Sequence, residues 1–517
     1  MPSPENLLAK IKAYAPKADL DLVRLAYDFA ADAHADQKRL SGQPYISHPL
    51  RAAEILAEMR LPIPIIIAGL LHDVPEDTSV SLAEIARNFG DDVASMVAGV
   101  TKLGRLKYRG IDRYVENLRK MFLAMAADVR VILIKFADRL HNLETLDALP
   151  PAKRLRVAVE SLEIYAPIAN RLGMNEIKGR LEDLAFRHAL PKEYAWASEQ
   201  ANQAIRVKKG YIEKIRERTE KDLRRARVPY SDIQGRVKHL HSLYQKLIKH
   251  ERDIVQIHDL IALRVLVPAI GDCYAALGII HQRWKPLQNR FNDYIAQPKP
   301  NGYRSLHTTV FCDDGEIVEF QIRTNDMHEE AERGIAAHWR YDESGKRSSE
   351  DADKQLAWVR DLVEKQERIK TVDDYLDSLE SMKIDIFQNR IFVFTPQGDV
   401  IDLPDGATPV DFAYNIHTEV GKTCVGARVN DRIVSLDSKL ASGDVCEIIC
   451  DKNRKSPNPD WLDFVKTGAA RHHIRVEAKS KLVKWVRELE QAEGKEPQPV
   501  SHKPAKIAER DKKKRKR

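Results

Sequence analysis

Cysteines and long apolar runs are scarce in this chain of 517 residues. Its five cysteines are too few for the disulfide framework that small secreted domains use. The longest apolar run, Ile65 to Leu71, is far shorter than the ~20 residues a helix needs to cross a bilayer. The N-terminal residues lack the apolar core of a secretion signal. These absences argue against a secreted or membrane-spanning protein and predict a cytoplasmic one.

Most of the chain carries no net charge. The overall charge of +7 resides in Lys503–Arg517, which holds nine basic and two acidic residues, so residues 1–502 are neutral overall. The tail could touch RNA or another polyanion, although such runs are more often a solvated, disordered end. Within the neutral part, Arg206–Asp253 carries fifteen basic and seven acidic residues. This local excess predicts a region that binds phosphate groups.

Hydrophobic periodicity divides the chain into segments of different fold class. Apolar residues recur at spacings of three and four up to about residue 195, which predicts an all-α region. Short strand patterns separated by helices follow and predict a mixed α/β region. A polar linker then precedes a small β-rich unit. The predicted segments are 1–195, 196–341, 342–387 (linker and helix), 388–452, 453–495 (helical) and 496–517 (a basic tail, expected to be disordered).

Candidate metal ligands stand near predicted helix ends in the first segment. They are His48, His72, Asp73 and Asp138. Imidazoles and carboxylates together suit a borderline divalent ion such as Mn²⁺, Fe²⁺ or Zn²⁺. Glu76 and Asp77 follow four residues after the His-Asp pair and could orient or deprotonate a metal-activated water. The pattern predicts metal-assisted hydrolysis of a phosphoester.

A nucleotide site is predicted in the second segment, although a Gly-x-x-x-x-Gly-Lys-Ser/Thr motif is missing. Without that motif, side chains must hold any triphosphate. Asp259 opens one predicted strand and Glu319 lies in another, so their carboxylates could hold Mg²⁺ on a polyphosphate. On the second strand, Glu319 shares one face with Gln321 and Arg323. These side chains predict a polar site on one face of a sheet.

The loop between those strands is fixed by Pro298, Pro300 and Gly302. Tyr303 on this loop could stack on a purine while Lys299 binds its phosphates. A surface loop whose tyrosine merely packs is an equally good interpretation of the spacing alone.

Several long motifs occur in one order along the chain: QKRLSGQPYISHP, GLLHDVPEDT, ADRLHN, PKPNGYRSLHTT, EFQIRT and TPQGDVIDLPDGATPVDFAYNIHTEVG. Together they resemble the RelA/SpoT family, the Rel-type enzymes of the bacterial stringent response. The resemblance implies a multidomain fold with an all-α HD hydrolase domain, an α/β nucleotidyltransferase-like synthetase domain and a small β-grasp-like TGS domain. A helical segment and a basic tail would follow. Long family members continue into further modules, so this chain resembles a member with a shortened C-terminus.

Two opposed activities are implied by the resemblance. One transfers pyrophosphate from ATP to the 3′-OH of GDP or GTP with Mg²⁺, and the other hydrolyses (p)ppGpp to GDP or GTP and pyrophosphate with Mn²⁺. The partners would include uncharged tRNA and the ribosome, through the TGS domain and basic tail. The alternatives are a hydrolase with a weakened synthetase and a catalytically inactive tRNA- or ribosome-binding regulator. We also expect the basic helical segment 175–230 to bias the two activities in opposite directions.

Residue roles follow from the same resemblance. The Mn²⁺ ligands would be His48, His72, Asp73 and Asp138. Water would be oriented or activated by Glu76 and Asp77. The nucleotide to be hydrolysed would be bound by Arg39, Ser41, Asn142 and Thr145. ATP would be bound by Arg236, Lys238, Ser242 and Lys246. The guanine nucleotide would be held by Lys299, Asn301, Tyr303, His307 and Gln321. Mg²⁺ would be bound by Asp259, the 3′-OH deprotonated by Glu319, and tRNA contacted by His417.

Departures from the family pattern occur at three places. Asn292 stands where bifunctional members usually carry lysine in an RFKD motif, which removes a positive charge near the acceptor site. Leu40 replaces a second basic residue that often follows Arg39. Pro75 disfavours α geometry at Val74, so we expect Glu76 and Asp77 to occupy a turn.

Overall fold

The computed structural model describes residues 3–104, 120–254, 257, 260–299, 301–313, 315–337, 390–397, 399–441, 443–451, 454 and 456–477. The chain forms two compact units, Met1–Gln388 and Asn389–Arg517. In the described part of the chain, every helix is too short or too polar to span a lipid bilayer.

Helices alone build the N-terminal part of the first unit. They are α1 (Pro4–Tyr14), α2 (Leu20–Ala33), α3 (Ser47–Glu58), α4 (Ile63–Leu71), α5 (Val74–Asp77), α6 (Leu82–Phe89), α7 (Asp91–Gly104), α8 (Arg130–Glu144), α9 (Pro151–Glu160), α10 (Ala166–Arg171), α11 (Asn175–Ala189) and α12 (Pro191–Arg225). A 3₁₀ turn, Leu146–Ala148, follows α8, and a π-helical turn, Ser161–Tyr165, joins α9 to α10. The predicted all-α region is confirmed.

Helix α4 lies at the centre of the helical core. Its residues Ile65–Leu71 are all buried, because α2, α3, α7 and α8 pack around it. Gly69 allows the close approach of α3, since a Cβ there would collide with the Leu56 side chain. The buried helix therefore holds its C-terminal end, where His72 follows, in a fixed place.

The turn after α4 corrects one prediction. Helix α4 ends at Leu71, but Glu76 and Asp77 lie in the short helix α5 rather than in a turn. Pro75 is in the first turn of α5, where a missing backbone N–H loses no helical hydrogen bond. The proline thus separates two helices and begins the second.

A five-stranded mixed sheet follows in the first unit. Its strands are β1 (Asp232–Val237), β2 (Ile261–Val267), β3 (Lys285–Asp293), β4 (Leu306–Phe311) and β5 (Ile317–Thr324), in the order β1-β2-β5-β4-β3. Its helices are α13 (Leu240–Lys249), α14 (Ile270–Arg283) and α15 (Asn325–Arg333). Among these five described strands, only β2 and β5 are parallel neighbours. Strand β2 is buried along its whole length because strands flank it on both sides. The predicted mixed α/β fold is confirmed.

Strand β5 separates the sheet's apolar core from a polar face. Val318, Phe320 and Ile322 are buried in the core, where Phe320 stacks on Trp284 with ring centroids 5.7 Å apart. Alternation along the strand therefore puts Glu319 and Gln321 on the opposite face.

The second unit is small and rich in β-structure. Its elements are β6 (Arg390–Phe394), β7 (Val400–Pro404), α16 (Pro409–Ile416), α17 (Thr418–Thr423), β8 (Cys424–Val429), β9 (Arg432–Val434), β10 (Cys446–Cys450) and a 3₁₀ turn, Pro459–Asp463. The sheets have the orders β6-β7 and β10-β8-β9. Residues 468–477 are helical. The predicted segments 342–387 and 496–517 lie outside the described residues, as does 478–495 of the predicted helical segment.

Buried Asp411 ties α16 to the chain that follows the sheets. It is fully buried and accepts hydrogen bonds from the backbone N–H groups of Thr408, Lys466 and Thr467. Because a buried carboxylate needs such donors, Asp411 fixes the segment at Lys466 and Thr467, just after the 3₁₀ turn, against α16.

Candidate functional site

The four predicted metal ligands come together inside the helical region. His48 on α3, His72 after α4 and Asp138 on α8 are buried, and their ligand atoms lie within 4.8 Å of one another. Asp73 joins them, with Oδ1 3.1 Å from His72 Nε2 and Oδ2 3.4 Å from His48 Nε2. Asp138 Oδ1 is 3.3 Å from His48 Nε2. Distances of this size leave room for one ion among the four side chains.

The ring nitrogens of this cluster fit a divalent metal. His72 Nδ1 is 2.8 Å from the carbonyl oxygen of Gly69, to which it donates its proton. His72 Nε2 is buried and has no hydrogen-bond partner among the described residues. A buried nitrogen lone pair beside two carboxylates is the donor set that divalent transition metals prefer.

Asp138 remains ionised despite its burial. Burial alone would raise the pKa of its carboxyl group, but the Lys135 ammonium 2.7 Å away holds that pKa well below its usual value. Asn142 also donates a hydrogen bond to Asp138. An ionised carboxylate is the form that binds a cation.

Two further carboxylates lie at the edge of the cluster on α5. Glu76 and Asp77 are exposed. The Tyr45 hydroxyl is 2.6 Å from Asp77 Oδ2 and 3.0 Å from Asp73 Oδ2, so it links one of them to the ligand set. Burial, followed by the charge of Asp73, raises the pKa of Tyr45, which therefore stays protonated as a donor. Sequence reasoning missed Tyr45, although it stands three residues before His48.

Arg39 forms hydrogen bonds with two other residues that are expected to bind the nucleotide substrate of hydrolysis. Its Nη2 donates to Asn142 Oδ1 at 3.2 Å and to Thr145 Oγ1 at 3.3 Å. Ser41 is exposed in the turn that follows Arg39. Exposed Leu40 occupies the position of the expected second basic residue. A guanidinium beside two small polar side chains can bind phosphate or a nucleobase edge.

A histidine that sequence reasoning missed packs against this group. His141 on α8 contacts both Arg39 and His48. Burial, reinforced by the charge of the Arg39 guanidinium, lowers the pKa of His141 to about 3. The imidazole is therefore neutral at physiological pH and can accept a hydrogen bond.

A second polar cluster lies on the sheet. Glu319 Oε1 is 3.1 Å from His307 Nδ1 and accepts a hydrogen bond from Gln321 Nε2 at 2.9 Å. His307 and Gln321 are directly opposite in the antiparallel β4–β5 pairing, which puts their side chains on one face. Arg236 Nη1 extends the cluster by donating to Gln321 Oε1 at 3.3 Å.

Tyr303 completes this cluster from the loop before β4. Its hydroxyl is 2.7 Å from His307 Nε2. Burial lowers the pKa of His307, so its neutral ring accepts from Tyr303 at Nε2 and donates to Glu319 at Nδ1. The tyrosine, histidine and glutamate thus form a chain of polar contacts across the polar face of the sheet.

Lys299 lies over two aromatic rings in the same loop. Its Nζ is 4.5 Å from the centroid of Tyr294 and 5.3 Å from that of Tyr303. Burial lowers the pKa of Lys299. Asn301 points to the helical region instead, where its Nδ2 donates to the carbonyl of Asn170 at 3.1 Å. Sequence reasoning missed Tyr294, which follows the RFND motif.

The residues expected to bind ATP are spread along β1 and α13. Arg236 is on β1, Lys238 follows the strand, and Ser242 and Lys246 lie one turn apart on α13. Ser242 Oγ is 3.4 Å from Glu182 Oε2 on helix α11 of the helical region. Asp259, the expected Mg²⁺ ligand, lies outside the described residues.

Two buried arginines, Arg264 and Arg323, also lie on the polar face of the sheet, where the sequence predicted only Arg323. Glu332 Oε1 accepts from Arg264 Nη2 at 2.9 Å and from Arg323 Nη2 at 2.7 Å. Burial, followed by the charge of Arg323, lowers the pKa of Arg264 to about 10. The alternation along β5 predicted which face of the sheet Arg323 occupies. No local sequence pattern predicted that Arg323 and Arg264 contact the same glutamate.

Asn292 and His417 are the last two residues that the sequence analysis singled out. Asn292 is exposed on β3, opposite His307 in the β3–β4 pairing. The lysine expected at this position of the RFND motif would therefore have placed a positive charge beside the second polar cluster. His417 is exposed between α16 and α17, where its Nδ1 accepts a hydrogen bond from the backbone N–H of Glu419 at 3.2 Å. This bond caps a helix, and the contact of His417 with tRNA stays a prediction.

Comparisons with known proteins match three regions of this chain to known protein families. The family models that match are an HD domain at residues 26–175, a region found in RelA / SpoT proteins at 235–346 and a TGS domain at 391–450. A guanosine-3′,5′-bis(diphosphate) 3′-pyrophosphohydrolase of Aquifex aeolicus is 45% identical over 492 residues, which cover 95% of this chain and 68% of the relative. The chain belongs to the RelA/SpoT family.

Other relatives of this RelA/SpoT protein carry different names. A GTP pyrophosphokinase of Myxococcus xanthus is 46% identical over 477 residues, 92% of this chain and 62% of the relative. A bifunctional (p)ppGpp synthase/hydrolase SpoT of Escherichia coli is 45% identical over 472 residues, 91% of this chain and 66% of the relative. The chain spans about three fifths of the length of several curated relatives that it matches.

Proposed function

We propose that this protein is a bifunctional alarmone enzyme, a GTP/GDP pyrophosphokinase that is also a (p)ppGpp 3′-pyrophosphohydrolase. The observation that carries the proposal is the presence of two distinct polar clusters in one chain. One is the buried group of His48, His72 and Asp138, and the other joins His307 to Glu319 on the sheet. Relatives named for each reaction, and one named for both, support this division.

Hydrolysis is assigned to the histidine cluster. His48, His72, Asp73 and Asp138 would hold Mn²⁺, which supplies an activated water and neutralises phosphate charge when bound. Glu76 and Asp77, exposed on α5, would orient the attacking water, and one of the two carboxylates would take its proton. The nucleotide is bound by Arg39, Ser41, Asn142 and Thr145.

Synthesis is assigned to the cluster on the sheet. Glu319 takes the proton of the 3′-OH, and neutral His307 holds its carboxylate in place. Tyr303 stacks on the guanine, which Lys299 and Gln321 help to hold, and Asn301 fixes the loop that presents Tyr303 through its bond to the Asn170 carbonyl. The ATP phosphates are bound by Arg236, Lys238, Ser242 and Lys246, and Mg²⁺ by Asp259. Transfer of a pyrophosphoryl group depends mainly on such positioning and charge neutralisation.

Uncharged tRNA and the ribosome are proposed partners of the TGS domain and basic tail. The exposed position of His417 on the β-rich unit supports a contact with the tRNA at this residue. Binding of uncharged tRNA to the full chain should weaken in His417→Ala. Equal affinity of the variant and parent, measured by filter binding, would refute this contact.

Paired substitutions test the two activities in one preparation. Asp73→Asn should lower hydrolysis of ppGpp by about 100-fold or more, and Glu319→Gln should lower synthesis to a similar extent, because each removes a group that acts directly in catalysis. Each variant should keep the opposite activity. Asp28→Asn and Glu316→Gln make the same replacements at exposed positions and should leave both rates unchanged.

Two results would contradict the assignment. If either substitution stopped both reactions in folded protein, the two sites would not be separate. If the parent neither made nor degraded ppGpp, the proposed function would be wrong. Removal of metal with a chelator, followed by addition of Mn²⁺ or Mg²⁺ in each assay, identifies the ion, and Mn²⁺ should restore hydrolysis.

A further inference from the structure

His141 lies edge to edge with the candidate ligand His48. Their Nδ1 atoms are 2.7 Å apart, and their ring planes differ by only 20°. Both side chains are buried, with 4% of His48 and 6% of His141 exposed. Two ring nitrogens at this distance share one proton, so one imidazole donates and the other accepts.

The position of His48 indicates which of its nitrogens would bind a metal. His48 Nε2 faces the carboxylates of Asp73 and Asp138, at 3.4 and 3.3 Å. A neutral imidazole that binds a metal through Nε2 carries its proton on Nδ1, and His141 Nδ1 lies within reach to accept it. Arg39 Nη1 also contacts the His141 ring, at 3.1 Å from Nδ1 and 3.5 Å from Nε2.

We propose that His141 is a positioning residue that holds His48 in the ring orientation and tautomer required for binding a divalent metal. This inference rests on the metal-assisted hydrolysis proposed above. His72 shows the same arrangement with a different acceptor, since its Nδ1 donates to the carbonyl of Gly69. Metal-binding histidines generally donate their second ring N–H in this way, and loss of the acceptor lowers metal affinity about 10- to 100-fold.

The ligand Asp138 and the supporting residue His141 both belong to helix α8. Asp138 and His141 are three residues apart and therefore lie on the same face of the helix. The helix thus supplies a ligand and the support for another ligand, which comes from α3. The motif ADRLHN contains both residues, but the family resemblance assigned a role only to Asp138 and Asn142.

Manganese affinity of the full chain tests this role. Isothermal titration of the metal-free protein with MnCl₂ is compared for the parent, His141→Phe and His141→Asn. Phenylalanine fills the ring volume without an acceptor, whereas Oδ1 of asparagine can replace Nδ1. His141→Phe should bind manganese about 10-fold or more weakly, and His141→Asn should bind nearly as tightly as the parent. His188→Phe makes the same replacement on α11 and should match the parent.

The outcomes separate this role from the proposed function. Unchanged affinity in His141→Phe, or equal losses in both His141 variants, would overturn the role of His141. If His141→Phe does not fold, ¹⁵N NMR of the histidine-labelled parent loaded with diamagnetic Zn²⁺ decides, and the absence of an Nδ1–H···Nδ1 hydrogen bond between His48 and His141 would overturn it. A parent that binds no manganese would refute the metal centre itself, and with it this role.

Discussion

His307 Nδ1 lies 3.1 Å from Glu319 Oε1, while the opposite nitrogen of the same ring lies 2.7 Å from the Tyr303 hydroxyl. The neutral imidazole therefore connects the loop expected to hold guanine with the carboxylate expected to act as a base. Because an imidazole has two polar edges at a fixed separation, it sets the position of both partners at once.

Replacing this imidazole should impair synthesis alone. We expect His307→Phe to lower the kcat of synthesis by about 10- to 100-fold, since a misplaced base loses much of its effect. Hydrolysis in the same sample should stay unchanged. His281→Phe is the matched control, because His281 contacts Thr308 on the other face of β4. Full synthesis by His307→Phe, measured chromatographically, would show that His307 does not position Glu319.

Glu182 should oppose ATP binding. Its carboxylate on α11 contacts Ser242, a proposed ATP ligand, and a negative charge there repels triphosphate. We expect Glu182→Gln to lower the KM for ATP several-fold, while Glu176→Gln, at an exposed position of the same helix, leaves it unchanged. If segment 175–230 biases the activities in opposite directions, hydrolysis should fall in the same variant. An unchanged or raised KM would contradict the prediction.

Gly334 should be intolerant of any side chain. It has φ +56°, and a Cβ there would collide with the backbone of Leu172 and Gly173 in the helical region. Gly334→Ala should therefore lower the free energy of unfolding by about 1–3 kcal/mol, through overpacking and backbone strain. Gly271→Ala, with open space around its Cβ, is the control. Urea unfolding followed by circular dichroism measures both, and equal midpoints would refute the close approach.

Acidification should destabilise the protein before its carboxylates titrate. Burial lowers the folded-state pKa of His141 to about 3 and of His328 to about 4, and also lowers that of His307. The unfolded chain binds these protons near pH 6.5, so stability is greatest above that pH and is lost as the pH falls below it. The urea midpoint of metal-free protein should be lower at pH 5.5 than at pH 7.5. His141→Asn should reduce this difference, and a midpoint that rises on acidification would contradict the prediction.

Residue type and chain order determined much of this protein. The apolar run Ile65–Leu71 leads directly to the His72–Asp73 pair and forms a buried helix, because burial on all sides requires apolar residues on all sides. The alternation of β5 predicted the shared face of Glu319 and Gln321, since successive side chains of a strand point in opposite directions. These are local rules, and the sequence carries them without reference to distant residues.

Tertiary structure alone decided which distant side chains meet. His48 and His141 are 93 residues apart in the chain, yet they share one proton because α3 and α8 pack together. Arg264 and Arg323 meet at one glutamate because β2 and β5 are parallel neighbours. A periodic pattern describes the faces of one helix or strand, but the partner of a face is chosen by the packing of the whole chain.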